Sequence, residues 1–279
     1  MRPMCLERCL KKPAVRGVAA GFTLIEMIVV MTITGILVAV VAVFIRRPME
    51  GLIDTANRAA LADAADTALR RMSRDIHKAL PNSVRVKQSG SAWYIEFLPV
   101  LTAGRYCEAA DCGTAPLDFA TSTSSFSYVG PQPVPGTISS STEVAIYNLG
   151  VTGLDAYTGG NTATLSAVGT STITLASPKI FPYPSPGHRF FIIDSPVSYA
   201  CTPGGSLVRI WGYAKQASQP TSTPSGASTA ILASNVSACN LDYQQSAIDQ
   251  YGLLYMTLTL TSNNESVVLT HGVQINNIP

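Results

Sequence analysis

Gly21-Phe22-Thr23-Leu24-Ile25-Glu26-Met27-Ile28-Val29-Val30 opens a run of 24 residues, 22–45, that holds one charged side chain, Glu26. A helix rising about 1.5 Å per residue needs about 20 such residues to cross a hydrocarbon layer about 30 Å thick. The run therefore predicts a membrane-spanning helix. Glu26 is its anomaly. A carboxylate inside a span costs up to about 2.5–3.5 kcal/mol at mid-bilayer and less near the interface, so Glu26 calls for a partner.

Upstream, residues 1–21 carry Arg2, Arg8, Lys11, Lys12 and Arg16 against Glu7, a net charge of +4. Everything after Gly21 sums to −2, an asymmetry that the whole-chain value of +2 conceals. A basic leader before a span keeps the N-terminus cytoplasmic and sends the rest across. The C-terminal half has no basic patch, which argues against a nucleic-acid partner. The 13% charged fraction is low for a cytosolic enzyme, and 279 residues suffice for a sizeable core in one or two domains.

Three ordinary signals fit poorly. A secretory signal is cut after its apolar run behind a small-x-small pattern, but this run ends in Phe44-Ile45-Arg46-Arg47-Pro48, and Ala62-Asp63-Ala64 lies too far downstream. A lipoprotein signal needs a cysteine just past the run, and none is present. A plain anchor leaves Ala20-Gly21-Phe22-Thr23-Leu24-Ile25-Glu26 unexplained. That junction resembles the type IV prepilin family, whose signal is a basic leader ending in Gly, then Phe-Thr-Leu-Ile-Glu and an unbroken apolar helix. The resemblance implies cleavage between Gly21 and Phe22 by a prepilin peptidase at the cytoplasmic membrane face, where the bare glycine backbone is easily reached. It implies methylation of the Phe22 amine, which stays charged. It also implies that Glu26 pairs with that amine on a neighbouring subunit during assembly.

Beyond the span, Leu61, Ala65, Ala68, Leu69, Met72, Ile76 and Leu80 recur at helical spacing and predict an apolar stripe. Asp66–Arg70 and Arg71–Asp75 stand i,i+4 for mutual support. Pro48 and Gly51 predict a kink or local melting, and Pro81 predicts a helix end at Leu80. Period-two patterning then predicts strands at 83–87, 92–98, 143–149, 162–168, 171–176, 189–194, 197–201 and 207–213, with a closing hairpin of 253–261 and 265–271 around Ser262-Asn263-Asn264. Trp93, Ile95 and Phe97 face one side. The Ser/Thr/Pro/Gly-rich stretches 121–127, 130–141 and 216–228 read as loops.

The fold class is α+β: a long N-terminal helix, transmembrane half plus amphipathic half, packed on a mainly antiparallel β-sheet head. The divisions are a leader at 1–21, a spanning and assembly helix at 22–45, an amphipathic helix at 46–80 and a β-rich head at 81–279.

Of six cysteines, Cys5 and Cys9 lie in the leader. Cys107, Cys112, Cys201 and Cys239 lie in the exported part, where oxidation is expected and three pairings are open. The preferred pairs are Cys107–Cys112, across a turn-like step, and Cys201–Cys239; buried free thiols are the alternative. No metal is assigned. Asp155 with Gly159, Gly160 and Asn161 lacks the alternating oxygens of a known calcium loop. His77, His188 and His271 are scattered, and no G-x-S-x-G elbow, H-E-x-x-H pair or P-loop occurs, so the chain reads as a non-enzyme with no cofactor.

The stretch 73–86, the central segments 189–194 and 196–201 with Leu207-Val208-Arg209, and the tail from Glu265 to Pro279 resemble the larger minor pilins. Among these, the O-type (MshO) minor pilins encoded with mannose-sensitive haemagglutinin (MSHA) pili are the most alike. Unlike many major pilins, the chain has no proline inside the apolar run. The resemblance implies an inner-membrane protein with a periplasmic head. Its implied partners are other major and minor pilin-like subunits, a prepilin peptidase/methylase and an inner-membrane assembly platform, and its role is to start or cap a fibre. A type II secretion pseudopilin and a tethered periplasmic domain that never assembles are the alternatives.

Overall fold

The computed structural model describes residues 21–109, 112–245 and 250–279. The basic leader with Cys5 and Cys9 lies outside them. The chain divides into two units, Met1–Ile53 and Asp54–Pro279.

One helix, α1 (Leu24–Ile76), is long and apolar enough to cross a membrane among the described residues. Helical backbone continues through Pro48 and Gly51, where the sequence predicts an interruption. Proline's fixed φ is already helical, so its cost is one missing backbone bond and local crowding. Cooperative turns on either side sustain the helix.

The helix ends at Ile76, short of the Leu80 boundary expected from Pro81. His77 N–H still bonds the Ser73 carbonyl at 3.0 Å, but Lys78 and Ala79 tighten to Asp75 and Ile76 at 3.1 and 2.9 Å. Leu80 N–H then donates to the Leu98 carbonyl at 2.8 Å, and Val100 N–H to the Lys78 carbonyl at 2.7 Å. The last expected turn is exchanged for pairing with the sheet.

The described residues of the head form β1 (Arg85–Ser89), β2 (Ala92–Phe97), β3 (Val100–Tyr106), β4 (Thr123–Val129), β5 (Glu143–Ile146), β6 (Thr162–Val168) and β7 (Thr172–Lys179). They continue with β8 (Arg189–Ile193), β9 (Val197–Cys201), β10 (Gly205–Trp211), β11 (Ser228–Gln245), β12 (Tyr251–Ser262) and β13 (Glu265–Asn276). Every pairing is antiparallel. Seven strands make one sheet in the order β1-β2-β9-β10-β11-β12-β13, and the other six close into a barrel, β3-β4-β7-β6-β5-β8. Because β2 pairs directly with β9, the barrel is an insertion into that pairing.

The apolar stripe of α1 packs as its spacing predicts: Ala65, Ala68, Leu69, Met72 and Ile76 meet Ile95, Phe97, Tyr199, Met256 and Val273 in one buried cluster. A second cluster fills the barrel with Tyr106, Phe126, Phe190 and Ile192. Leu80, Leu98, Tyr157 and Ile193 form a third.

Three strands escape the period-two reading. Residues 121–127 contain β4 rather than a loop, because Ser127 is buried inside the strand and its hydroxyl oxygen accepts the Ala115 N–H at 3.1 Å. β11 loses its alternation at a bulge between Val236 and Ala238, next to Asn235 at φ 59°. In β3, a Cβ on Gly104 would lie 2.6 Å from the Phe190 ring, so the backbone passes where a side chain would collide.

Candidate functional site

Gly21, Phe22 and Thr23 precede the helix, and Leu24 opens it. Thr23 Oγ1 accepts the Glu26 N–H at 3.3 Å, and Glu26 Oε2 accepts the Thr23 N–H at 3.4 Å. This reciprocal arrangement is a capping box. It satisfies two amides that no helical carbonyl reaches, in a setting where an unmet amide costs several kcal/mol. The carboxylate also stands at the positive end of the helix dipole. The signal is present in the sequence as Thr-x-x-Glu ahead of an apolar run, and it gives Glu26 a backbone role beside its need for a cation. In the lone chain its partner is a backbone amide.

Phe22 is 76% exposed and Leu24 79%, and the apolar residues through Ile53 lie open all round. So large an apolar surface requires lipid or other apolar helices around it. Thr32 and Thr34 turn their hydroxyls back to the carbonyls of Val29 and Val30 at 2.9 and 2.6 Å, as polar groups in such a setting must. Space does not impose glycine at 21, since a Cβ there meets nothing within 4 Å.

Residues 17–42 match the family model of the prokaryotic N-terminal methylation motif, which covers the junction, Glu26 and most of the span. That motif, on an apolar helix leading into an antiparallel β head, is the N-terminal signal of type IV pilin- and pseudopilin-like proteins, which this part of the chain resembles, and the helix is long and apolar enough to anchor a chain in a membrane. No curated protein and no solved structure matches the chain at a significant level.

In the head, Cys107 and Cys112 stand 5.7 Å apart at Cα and Cys201 and Cys239 6.4 Å, both within the Cα spacing of a disulfide. The second pair ties the end of β9 to β11 just past Val236, the last residue of β11 that β10 pairs with. Tyr106 stacks on His188 at 5.5 Å, and burial pushes its hydroxyl up to about 12. His188 Nε2 lies 3.0 Å from Glu108 Oε2. His77 lies in the turn after α1, and His271 lies in β13 opposite Met256. Around Asp155 and Asn161, lysines cap the carbonyls that a cation would seek. Lys179 donates to Gly159 at 2.9 Å and Lys215 to Ala156 at 2.8 Å.

Asp75 does not pair with Arg71 along the helix. It accepts bonds from Tyr199 at 2.6 Å and Arg209 at 2.9 Å, because it lies on the face turned to the sheet. Burial, reinforced by the bond to Asp75, raises the Tyr199 hydroxyl. The Asp66–Arg70 pair forms at 2.6 Å.

Proposed function

We propose that the chain is a minor type IV pilin-like subunit of the MSHA type that starts or caps a fibre. The observation that carries this reading is the junction Gly21-Phe22-Thr23-Leu24-Ile25-Glu26 standing directly ahead of an apolar helix with no other charge in its span. In this reading the chain is held in the inner membrane with its leader in the cytoplasm and its head in the periplasm. A prepilin peptidase cuts Gly21–Phe22 and methylates the new amine. The helix then passes to an inner-membrane assembly platform and packs among other pilin-like helices. Glu26 exchanges the Thr23 amide for the amine of a neighbour, which turns a lipid-facing charge into a pair. The protein catalyses nothing and is itself a substrate of the peptidase.

The inserted barrel supports a minor position. A subunit repeated along a fibre must fit equivalent neighbours on every side, and a head enlarged by a six-stranded insertion has more surface to accommodate. Bridges Cys107–Cys112 and Cys201–Cys239 suit an oxidising periplasm.

Mass spectrometry of the membrane-purified protein tests the first step. The expected N-terminus is Phe22 bearing one methyl group in cells with the peptidase, and Met1 or the unprocessed leader in cells without it. A mature protein that keeps its leader when the peptidase is present overturns the reading. Crosslinked partners drawn from a secretion system would favour the pseudopilin alternative.

A further inference from the structure

The two edges of the seven-stranded sheet are built differently. β1 is 5 residues long and carries an exposed lysine, Lys87. Short length and basic charge are common protections of a free edge. β13 is 12 residues long and contains no lysine, arginine or proline. Its one acidic residue, Glu265, is engaged by Arg58.

The turn preceding β13 fixes which of its backbone groups face outward. Asn263 and Asn264, at φ 51° and 63°, make a two-residue turn that closes on Ser262 and Glu265. In such a hairpin the closing pair is hydrogen-bonded, and bonded pairs recur at every second residue. Val267, Leu269, His271 and Val273 therefore bond to β12. The alternating residues Ser266, Val268, Thr270, Gly272 and Gln274 turn N–H and C=O to the open side, and no backbone partner meets them among the described residues. Val267 and Leu269 pack half-buried on the core, so the apolar face of the sheet runs out to its rim, while Val268, 60% exposed, stands on the opposite face.

The geometry points to β13 as a docking edge for an extended strand from a different pilin-like subunit, an inference that rests on the assembly reading above. A period-two row of backbone donors and acceptors is matched by another extended backbone. The rim asks that strand for apolar side chains on the α1 side. On the other face, lined by Thr257 and Thr270 with hydroxyls 3.1 Å apart, it asks for polar or β-branched ones.

A second copy fits this edge poorly. Pairing β13 with β1 of another copy engages at most 5 of its 12 residues. Antiparallel pairing of β13 with β13, about a two-fold axis normal to the sheet, makes the two α1 segments on the joined sheet run in opposite directions, and parallel pairing, about an axis along the strand, puts them on opposite faces. In neither do the two α1 segments run side by side in one direction, as packing into a common bundle of helices asks.

Residue-resolved amide exchange on the full-length protein in detergent, alone and in a fraction co-purified with other pilin-like subunits, tests the inference. The amides of Val268, Thr270 and Gly272 are expected to exchange freely alone and to slow by about tenfold or more in the assembled fraction. Leu269 and His271 should be slow in both. Thr270→Pro removes an outward N–H and Val268→Lys adds an edge charge; both should fold and lose co-purification. An assembled fraction with fast outward amides overturns the strand pairing and leaves the assembly reading standing. Concentration-dependent protection in the protein alone assigns the edge to a second copy and overturns the partner named here. Absence of any assembled fraction overturns the assembly reading and this inference with it.

Discussion

Glu96 is fully buried, and its Oε2 accepts a hydrogen bond from Arg85 Nε at 2.6 Å across the β1–β2 register. Its Oε1 accepts one from Tyr213 at 2.9 Å. Alternation along β2 sends Ile95 and Phe97 to the α1 side and Glu96 to the other. There residues 212–227 cross the sheet as a strap. Arg85 holds the strap through the carbonyls of Gln216 and Ala217, both at 2.8 Å, while its guanidinium lies 3.6 Å above the Tyr157 ring. A charge pair sealed by a loop costs desolvation on both partners and is strongly destabilising to break from one side.

Burial raises the Glu96 carboxyl above its usual range, and the bond from Arg85 only partly opposes this. The folded chain thus keeps that proton to higher pH than the unfolded one. Its contribution to stability is full below the ordinary glutamate range and is lost as pH rises through the folded value. Urea unfolding across pH should show wild type losing stability relative to Glu96→Gln as pH rises; parallel profiles would remove Glu96 from the pH response. Glu96→Ala, which leaves Arg85 and Tyr213 without their acceptor, should cost about 3–5 kcal/mol.

Lys215, on the same strap, pairs with Glu143 of the barrel and donates to the Ala156 carbonyl at 2.8 Å and Thr162 Oγ1 at 3.2 Å. Lys215→Met should destabilise the head by about 1.5–3 kcal/mol and speed proteolytic nicking within residues 216–227. An unchanged digestion pattern would show that the strap is held without it.

The Cys201–Cys239 pair, 38 residues apart, closes a loop over β10. Alkylation of the native protein should find no free thiol among the four head cysteines. The double variant Cys201→Ser/Cys239→Ser should unfold about 2–4 kcal/mol more easily. Labelling of either residue before reduction would refute the bridge.

Glu26→Gln keeps an acceptor for the Thr23 amide and removes the charge, whereas Glu26→Ala removes both. Both variants should still be cut after Gly21, and both should enter fibres about tenfold less or worse, the loss expected for a charge-assisted bond. Immunoblots of sheared fibres against total membrane measure this. Normal incorporation of the Gln variant would assign Glu26 to starting the helix alone.

The apolar helix was legible residue by residue because it depends only on neighbours in sequence: an apolar run and one acid in its first turn. The amphipathic stripe from Leu61 to Ile76 was legible for the same reason, as were the strands β2, β6 and β9, whose expected bounds match within one residue. The closure of a barrel was not, nor were its strands β3 and β4. β4 buries a serine that satisfies a neighbouring loop amide, so polarity there reports a local bond rather than exposure.

Local chemistry in the chain thus determined that the protein has a helix long and apolar enough to cross a membrane, where that helix starts, and that an antiparallel β head follows. Only the tertiary structure decided that the strands separate into an open sheet and a closed barrel, that Glu96 and Asp75 face inward, and that β13 is left as a free edge. The division has a physical cause. Helix starts and amphipathic faces arise from contacts within about four residues, whereas strand partners and buried charges arise from groups such as Arg85 and Gln216, set together by the fold from 131 residues apart.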